Sequence, residues 1–328
     1  MAQEINASEM AKPLKSRKFD FKQQFQWAYI LIRHPQARIG LIIIFLLILM
    51  AVFAPIIAPG GKPVYVDTPN LPPGGSHILG VDPLGRDEFA LVVWGARISL
   101  EIGFGTGVLA LLVATILGMI AGYFGGYIDN ILTLLFNLFL VIPGLPMLIL
   151  LAAYMKQTTS TVIFTLAFTG WAFWARIIRA QTLSLREKDF VAASIVAGEN
   201  HFVIIFRQIL PNMINIIVGG IIGSTIYGIA ASTALAFLGL TNMEDISWGT
   251  NLFWAQNGNS LLLGAWWVFV PSGFLLALAA LALTWVNYGM DEITNPRLRS
   301  ERELRRVIRR IQFKTSRATP VLRREHSK

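Results

Sequence analysis

Six long apolar runs alternate with polar segments along the chain, and each is long enough to cross a membrane. A helix needs about 20 mostly apolar residues to span the hydrocarbon core of a bilayer. Pro143 and Pro146 interrupt the third run, where they predict either a hinge or a fixed bend. The pattern predicts an all-α polytopic membrane protein with six transmembrane helices. The predicted spans cover residues 39–58, 98–124, 131–154, 159–175, 213–238 and 262–290.

The composition favours a membrane protein over a soluble one. The 328 residues are 54% hydrophobic and 14% charged, whereas a soluble domain carries about 25% charged residues. The second and fifth runs hold many glycines, which let helices approach closely in lipid. The chain has no cysteine, which excludes disulfides, iron–sulfur ligation and thiol catalysis.

The net charge of +9 is concentrated in a few places, which argues against nucleic-acid binding. Lys and Arg cluster in residues 1–38 and 291–328 and around residues 176–207, whereas residues 241–260 contain none. Cytoplasmic segments of membrane proteins carry an excess of Lys and Arg. An even number of spans also places both termini on one side. We therefore predict that both termini and the 189–212 segment are cytoplasmic.

These boundaries divide the chain into four segments. Residues 1–38 form a basic cytoplasmic arm, which either lies along the membrane surface or is a solvated tail. Residues 39–96 contain the first helix and an extracytoplasmic loop. Residues 97–290 form the core transmembrane domain, with five helices and a long loop at 186–212. Residues 291–328 form a basic cytoplasmic tail, which is either a helix on anionic lipid or a disordered segment.

The spans lack the ionisable groups that proton- or ion-coupled carriers need inside the membrane. Glu101, at the outer end of the second run, comes nearest to such a group. The sequence has no P-loop, GxxxxGK followed by Ser or Thr, so a partner must supply any ATPase. His77 lies near acidic residues in the first loop, but no HxxH spacing supports a metal site. We predict neither catalytic residues nor a metal.

The polar segment 189–212 is more elaborate than a turn between two spans requires. Its first part combines helix-forming and small residues, which would give a flat surface able to enter a groove on a partner. Gly198 is placed to end this helix, and Pro211 suits the first turn of a new one. We predict a helix, a stop, a second short helix and then the fifth span. The alternative is an ordinary amphipathic connector.

The same segment resembles the cytoplasmic coupling motif of ABC importer permeases. That motif is usually written as EAA, three residues, Gly, nine residues and I-x-L-P. Three positions depart from it, because Ala192 replaces the Glu, Ser194 the second Ala and Gln208 the Ile. The departure at Ala192 removes any salt bridge of that Glu, but the spacing from Gly198 to Leu-Pro is intact. The matching positions are Ala192, Ala193, Ser194, Gly198, Gln208, Leu210 and Pro211.

Other segments narrow the resemblance to the C-type permease of dipeptide and oligopeptide importers. They occur in the family's order and extend over about residues 25–299, which makes a chance match a poor explanation. The basic tail beyond residue 299 is longer than the family requires. The segments that carry this resemblance are residues 77–87, 95–100, 121–126, 237–240, 247–249 and 295–299.

The resemblance implies a type I ABC importer permease fold with a cytoplasmic coupling helix, in the bacterial or archaeal cytoplasmic (inner) membrane. The chain would form half of a translocation pore and would contact membrane lipid. Its partners would be a second homologous permease subunit, two ABC ATPase subunits and an extracytoplasmic substrate-binding protein. The ATPase subunits would bind ATP and Mg²⁺, and this chain would hold no cofactor. The cargo would be dipeptides or oligopeptides.

The resemblance also assigns roles to individual residues. Those expected to couple to the ATPase are Asp189, Ala192, Ala193, Ser194, Gly198, Glu199, Leu210 and Pro211. Those expected to contact the binding protein or a gate are Asp82, Arg86, Asp87 and Trp248. For each residue of the second group, hydrogen bonds that fix a loop are the alternative. Alternatives for the whole chain are a permease of the same family for nickel or another small solute, an ion-coupled secondary carrier, and a non-transporting scaffold.

Overall fold

The computed structural model describes residue 31 and residues 34–59 and 64–294, with side chains up to residue 290. Most of the predicted basic arm (1–38) and of the basic tail (291–328) lies outside the described residues. Regular structure in the described part is helical, apart from isolated β-bridges in the loop that precedes residue 88. The predicted all-α class is therefore confirmed.

The helices follow one another with short connections, except for the two loops at 64–87 and 238–247. The first helices are α1 (Pro35–Val52), α2 (Ala54–Ile57), α3 (Glu88–Phe124), α4 (Gly126–Val141), α5 (Gly144–Tyr154) and α6 (Thr159–Arg186). The later ones are α7 (Asp189–Val196), α8 (His201–Val203), a π-helical turn (Ile204–Ile209), α9 (Leu210–Phe237), α10 (Trp248–Asn257), a 3₁₀ turn (Trp266–Val268) and α11 (Val270–Thr294).

The second span starts earlier than predicted. α3 begins at Glu88 rather than at residue 98, because Asp87 caps it: the Asp87 carboxylate accepts a hydrogen bond from Ala90 N at 2.9 Å. A side-chain cap satisfies a backbone donor that the first helical turn leaves free. The helix thus begins before the apolar run does, at the residue that caps it.

The fourth and sixth spans also differ from their predicted bounds. α6 continues to Arg186 instead of ending at residue 175, and its basic residues bond to α4 beyond the apolar run. The last span begins at Val270 rather than at residue 262. Gly264 turns the chain there with φ of 71°, which an L side chain rarely adopts. Residues 241–260, which carry no Lys or Arg, contain a further helix, α10.

α4 and α5 form one broken span, bent by 87° next to Pro143. Near the start of α4, Asp129 Oδ2 accepts a hydrogen bond from Arg179 Nη2 at 2.6 Å, toward the end of α6. Just after α5, Met155 Sδ accepts one from Thr165 Oγ1 at 3.3 Å, toward the start of α6. Because α6 is continuous, the pair runs from one end of the bundle to the other. With the five other long apolar helices of the described chain, it gives the six predicted spans.

Glycines of α3 bring this helix against α6. A Cβ atom built on Gly118 would lie 2.7 Å from the carbonyl oxygen of Ala175 and 3.0 Å from Ile178 Cβ. A Cβ atom built on Gly122 would lie 2.7 Å from the carbonyl oxygen of Arg179. The backbones of α3 and α6 are therefore so close at these glycines that a larger residue would push the helices apart. In lipid, such close packing drives helix association.

The bundle has two distinct ends. The loop end carries residues 64–87 and 238–265, and the coupling end carries residues 187–203. Large apolar side chains remain exposed along the helices between them, for example Phe45, Leu112 and Phe168. In a membrane protein such side chains face lipid or another subunit.

Candidate functional site

α7 ends at the coupling end in a tight turn built around Gly198. Gly198 N donates to Ile195 O at 3.0 Å, and Glu199 N donates to Ser194 O at 3.1 Å. These two bonds form a Schellman motif, which satisfies the last carbonyls of the helix. The motif needs a residue with positive φ after the cap, and Gly198 has φ of 75°. The predicted helix stop at Gly198 is confirmed.

One face of α7 is buried and the other is free. Val191 and Ser194 pack toward the bundle, with Val191 in the same apolar cluster as the central part of α3. The opposite side presents a surface that we call the coupling surface. It comprises Asp189, Ala192, Ala193, Ile195, Val196, Glu199 and Phe202, all of which are exposed. An exposed patch that combines small and apolar side chains marks an interaction site.

The segment after Gly198 is one continuous helical run rather than two separate helices. α9 begins at Leu210 with Pro211 in its first turn, as predicted. α8, the π-helical turn and α9 nevertheless join without a break, so the predicted second short helix and the fifth span form one helical run. In the wider turn Leu210 N donates to Ile205 O, five residues back. A proline ring clashes with the carbonyl four residues before it in a regular α-helix. The π-helical turn relieves that clash before Pro211.

Buried side chains attach this run to the bundle. Ile204, Ile209 and Met213 are all completely buried and join the cluster that contains Val191. The cluster also takes in residues of α3 and α6. The base of the coupling surface is therefore packed against the spans rather than suspended in a loop.

A hydrogen bond that the sequence did not suggest links the coupling end to α3. Tyr123 Oη and His201 Nδ1 are 2.8 Å apart, and the two rings meet edge to face with centroids 5.6 Å apart. Tyr123 is buried at the end of α3, and His201 begins α8 directly after the Gly198 turn. The two residues are 78 positions apart in the chain, so no local pattern could have paired them.

At the loop end, Asp82 and Arg86 hold a tight turn. The Asp82 carboxylate accepts from Leu84 N at 2.9 Å and from Arg86 N at 2.7 Å. Its other oxygen receives two bonds from the Arg86 guanidinium, at 2.9 and 2.7 Å. Asp82 is 1% exposed. Such charge-assisted bonds are stronger than neutral ones, and here they shape the loop.

Asp87 and His77 extend this frame. Asp87 caps α3 through one carboxylate oxygen, and its other oxygen lies 2.9 Å from His77 Nδ1. On the far side of the ring, His77 Nε2 lies 3.6 Å from a carboxylate oxygen of Asp67. The histidine therefore bridges two acidic side chains of the loop.

Trp248 is completely buried where α10 meets α3. Its Nε1 donates to Val92 O at 3.1 Å, and its backbone N donates to Ser99 Oγ at 3.0 Å. Asp82 and Trp248 thus contribute to the frame of the loop end and not to its exposed surface. Contact of the predicted loop residues with a binding protein stays a prediction, as does the assignment of the coupling residues.

Comparison with known proteins identifies the fold family. The family described as binding-protein-dependent transport system inner membrane component matches residues 114–300. The N-terminal TM domain of oligopeptide transport permease C matches residues 26–73. These matches cover the coupling end and most of the spans, including the first one.

Relatives extend the match over most of the chain. The dipeptide transport system permease protein DppC of Bacillus subtilis is 35% identical over 266 residues, which is 80% of this chain and 82% of the relative. The oligopeptide transport system permease protein OppC of the same bacterium is 35% identical over 270 residues, 80% of this chain and 86% of the relative. A putative peptide transport system permease protein of Brucella abortus is 34% identical over 274 residues, 83% of this chain and 91% of the relative. The chain belongs to the family of binding-protein-dependent transport system inner membrane components.

Proposed function

We propose that this chain is one pore-forming subunit of an ATP-driven importer that carries dipeptides or oligopeptides. The names of its relatives support this cargo, since dipeptide, oligopeptide and peptide transport systems all occur among them. The absence of ionisable residues from the middle of the sequence-predicted spans supports an external energy source over ion coupling.

The observation that carries the proposal is the coupling surface. Exposed small and apolar residues form it, and its base is completely buried at Val191 and Ile204. A surface that is both free to bind and rigidly held can receive force from a partner. We assign this role to two ABC ATPase subunits, one for each of two homologous permeases.

The remaining parts of the assembly follow from this assignment. The ATPase subunits bind ATP and Mg²⁺, and this chain acts as a pore without catalysis of its own. An extracytoplasmic binding protein delivers the peptide to the loop end. The coupling end and both termini face the cytoplasm of a bacterial cell, because Lys and Arg are concentrated there.

The packing suggests how movement reaches the pore. When the ATPase pair closes, it pushes on α7. The push passes to α9 through the buried cluster around Ile204 and Met213, and to α3 through the bond between Tyr123 and His201. α3 and α9 also pack closely on each other at Gly103 and Gly228, so they move as one body.

A substitution at Gly198 tests the proposal. A Cβ atom at Gly198 would meet no atom within 4 Å, and Gly198 is exposed, so a side chain can extend from this position into solvent. Gly198→Trp therefore introduces only the strain of positive φ, about 1–2 kcal/mol, while it fills the space where the ATPase would dock. We expect the complex to lose peptide uptake in proteoliposomes, through loss of ATPase subunits or through uncoupled ATP hydrolysis.

Gly198→Asn is the matched control, because Asn tolerates the left-handed conformation and is small. It should retain most of the uptake. Normal uptake by the Gly198→Trp variant would overturn the assignment of the coupling surface.

A further inference from the structure

A polar cleft opens at the loop end, between α3, α6, α9 and the segment that leads into α10. Its interior volume is about 20 Å³, which is room for a group about the size of one water molecule. Its walls are rich in hydroxyl groups, and its lining contains no Lys, Arg or His. None of the residues assigned above to coupling lines it, and of the loop frame it shares Ser99, whose Oγ accepts from Trp248 N.

Several of these hydroxyl groups already donate their protons to the main chain. Ser232 Oγ donates to Ile229 O at 3.0 Å, and Thr233 Oγ1 donates to the same carbonyl at 2.8 Å. Thr250 Oγ1 donates to Asp245 O at 2.8 Å. A hydroxyl that has donated its proton still has lone pairs to accept with. These side chains therefore offer the cleft acceptors rather than donors.

Two further side chains give the cleft an unpartnered hydroxyl and a negative charge. Thr241 is 7% exposed, and its Oγ1 has no hydrogen-bond partner among the described residues. Asp245 brings a carboxylate that accepts one long bond from the part of the chain that the structure describes, donated by Thr159 Oγ1 at 3.4 Å. A buried polar atom without a partner is costly and calls for an explanation.

We infer that this cleft binds a primary ammonium group, that of the protonated amino terminus of the peptide cargo. An ammonium group has three donors and a positive charge, which match a carboxylate surrounded by hydroxyl acceptors. Asp245 supplies the charge, and Thr241 supplies an acceptor that is otherwise unused. The identity of the cargo rests on the proposed function, but the chemistry of the cleft does not.

The place of the cleft suits such a role. It lies at the end of the bundle where the cargo enters, and its walls come from three spans that pack on one another. A ligand held there contacts α3, α6 and α9 at once. The cleft is thus a subsite for the leading group of the peptide.

Thermal unfolding of the purified complete importer, without its binding protein, tests the inference directly. The probes are alanyl-alaninamide, which carries a free ammonium group, and its N-acetyl form, which does not. A ligand that binds the folded state raises the melting temperature. We expect a saturable rise with the free form and no rise with the acetylated form.

Two isosteric variants locate the site. Asp245→Asn removes the charge, and Thr241→Val removes the unpartnered hydroxyl. We expect the half-saturating concentration of alanyl-alaninamide to increase by at least about tenfold for Asp245→Asn, since a charge-assisted bond is lost. Glu244→Gln is the matched control, because Glu244 is the neighbouring exposed carboxylate and does not line the cleft. It should behave as the original protein does.

Each outcome decides the inference. Equal shifts with the two peptides, no shift with either, or an unchanged response of both Asp245→Asn and Thr241→Val would overturn it. If Asp245→Asn does not fold, Thr241→Val carries the decision. An equal rise in melting temperature with NaCl or KCl at the same concentration would show that the cleft binds a free cation, and would overturn the inference that it binds a peptide. A failure of ATP-driven peptide uptake would overturn the proposed function instead, since the thermal assay needs neither ATP nor transport.

Discussion

Gly118 lies at a close approach of α3 and α6, and Gly118→Ala should loosen the bundle there. The added Cβ would lie 2.7 Å from Ala175 O and 3.0 Å from two atoms of Ile178. A carbonyl oxygen and a β-branched side chain cannot rotate away, and both residues are completely buried. The helices must therefore separate by a few tenths of an ångström along their contact.

Two opposing contributions determine how much Gly118→Ala changes the free energy of unfolding. Alanine favours a helix over glycine by about 1 kcal/mol, whereas overpacking a filled interior costs about 1–3 kcal/mol. Gly219→Ala is a matched control in α9, since its Cβ would meet Asn287 Oδ1 at 3.5 Å and Met290 Cβ at 3.9 Å, which is ordinary contact. The control gains the helix preference without the clash. We expect Gly118→Ala to be less stable than Gly219→Ala by about 2 kcal/mol.

The comparison is made by thermal unfolding of the two variants in the same detergent at one scan rate, because unfolding of large proteins is often irreversible. A difference of about 2 kcal/mol corresponds to a melting temperature lower by several degrees for Gly118→Ala. If the two variants have the same melting temperature, or if Gly118→Ala melts at a higher temperature, the close contact at Gly118 does not stabilise the packing of α3 on α6.

Three further predictions concern the two ends of the bundle. Asp82→Asn should destabilise the protein in detergent by roughly 3 kcal/mol, because Arg86 keeps a charge without its partner; an unchanged melting temperature would contradict this. Trp248→Phe should cost about 1–3 kcal/mol, since Val92 O loses its side-chain bond, and no loss would show that this bond adds nothing. Glu199→Cys, in a chain without other cysteines, should react with an impermeant thiol reagent only in inside-out vesicles; labelling of intact cells would refute the topology.

Much of the fold could be predicted because lipid imposes a simple rule on sequence. A span needs about 20 apolar residues, and each of the six predicted runs corresponds to a span of the structure. The turn at Gly198 could also be predicted, since positive φ strongly favours glycine. These features depend on local properties of the chain.

What could not be predicted depends on contacts between distant residues. The hydropathy pattern does not record the Asp87 cap, so the start of α3 was placed too late. Pro211 does lie in the first turn of α9, but the π-helical turn that joins α9 to α8 as one helical run rests on buried residues on both sides of the proline. The partners Tyr123 and His201 come together only through the packing of α3 against the coupling end.

α3 is long enough to join the loop end and the coupling end of the bundle. With 37 residues it measures about 55 Å at 1.5 Å per residue, well beyond the hydrocarbon core of about 30 Å. Its first turns are held at the loop end by the Asp87 cap and by Trp248, and its last turn is bonded to His201 at the coupling end. Because one continuous helix joins the two ends, a displacement of His201 must also shift the frame that surrounds Trp248. Communication between the coupling end and the loop end therefore needs no flexible relay within this subunit.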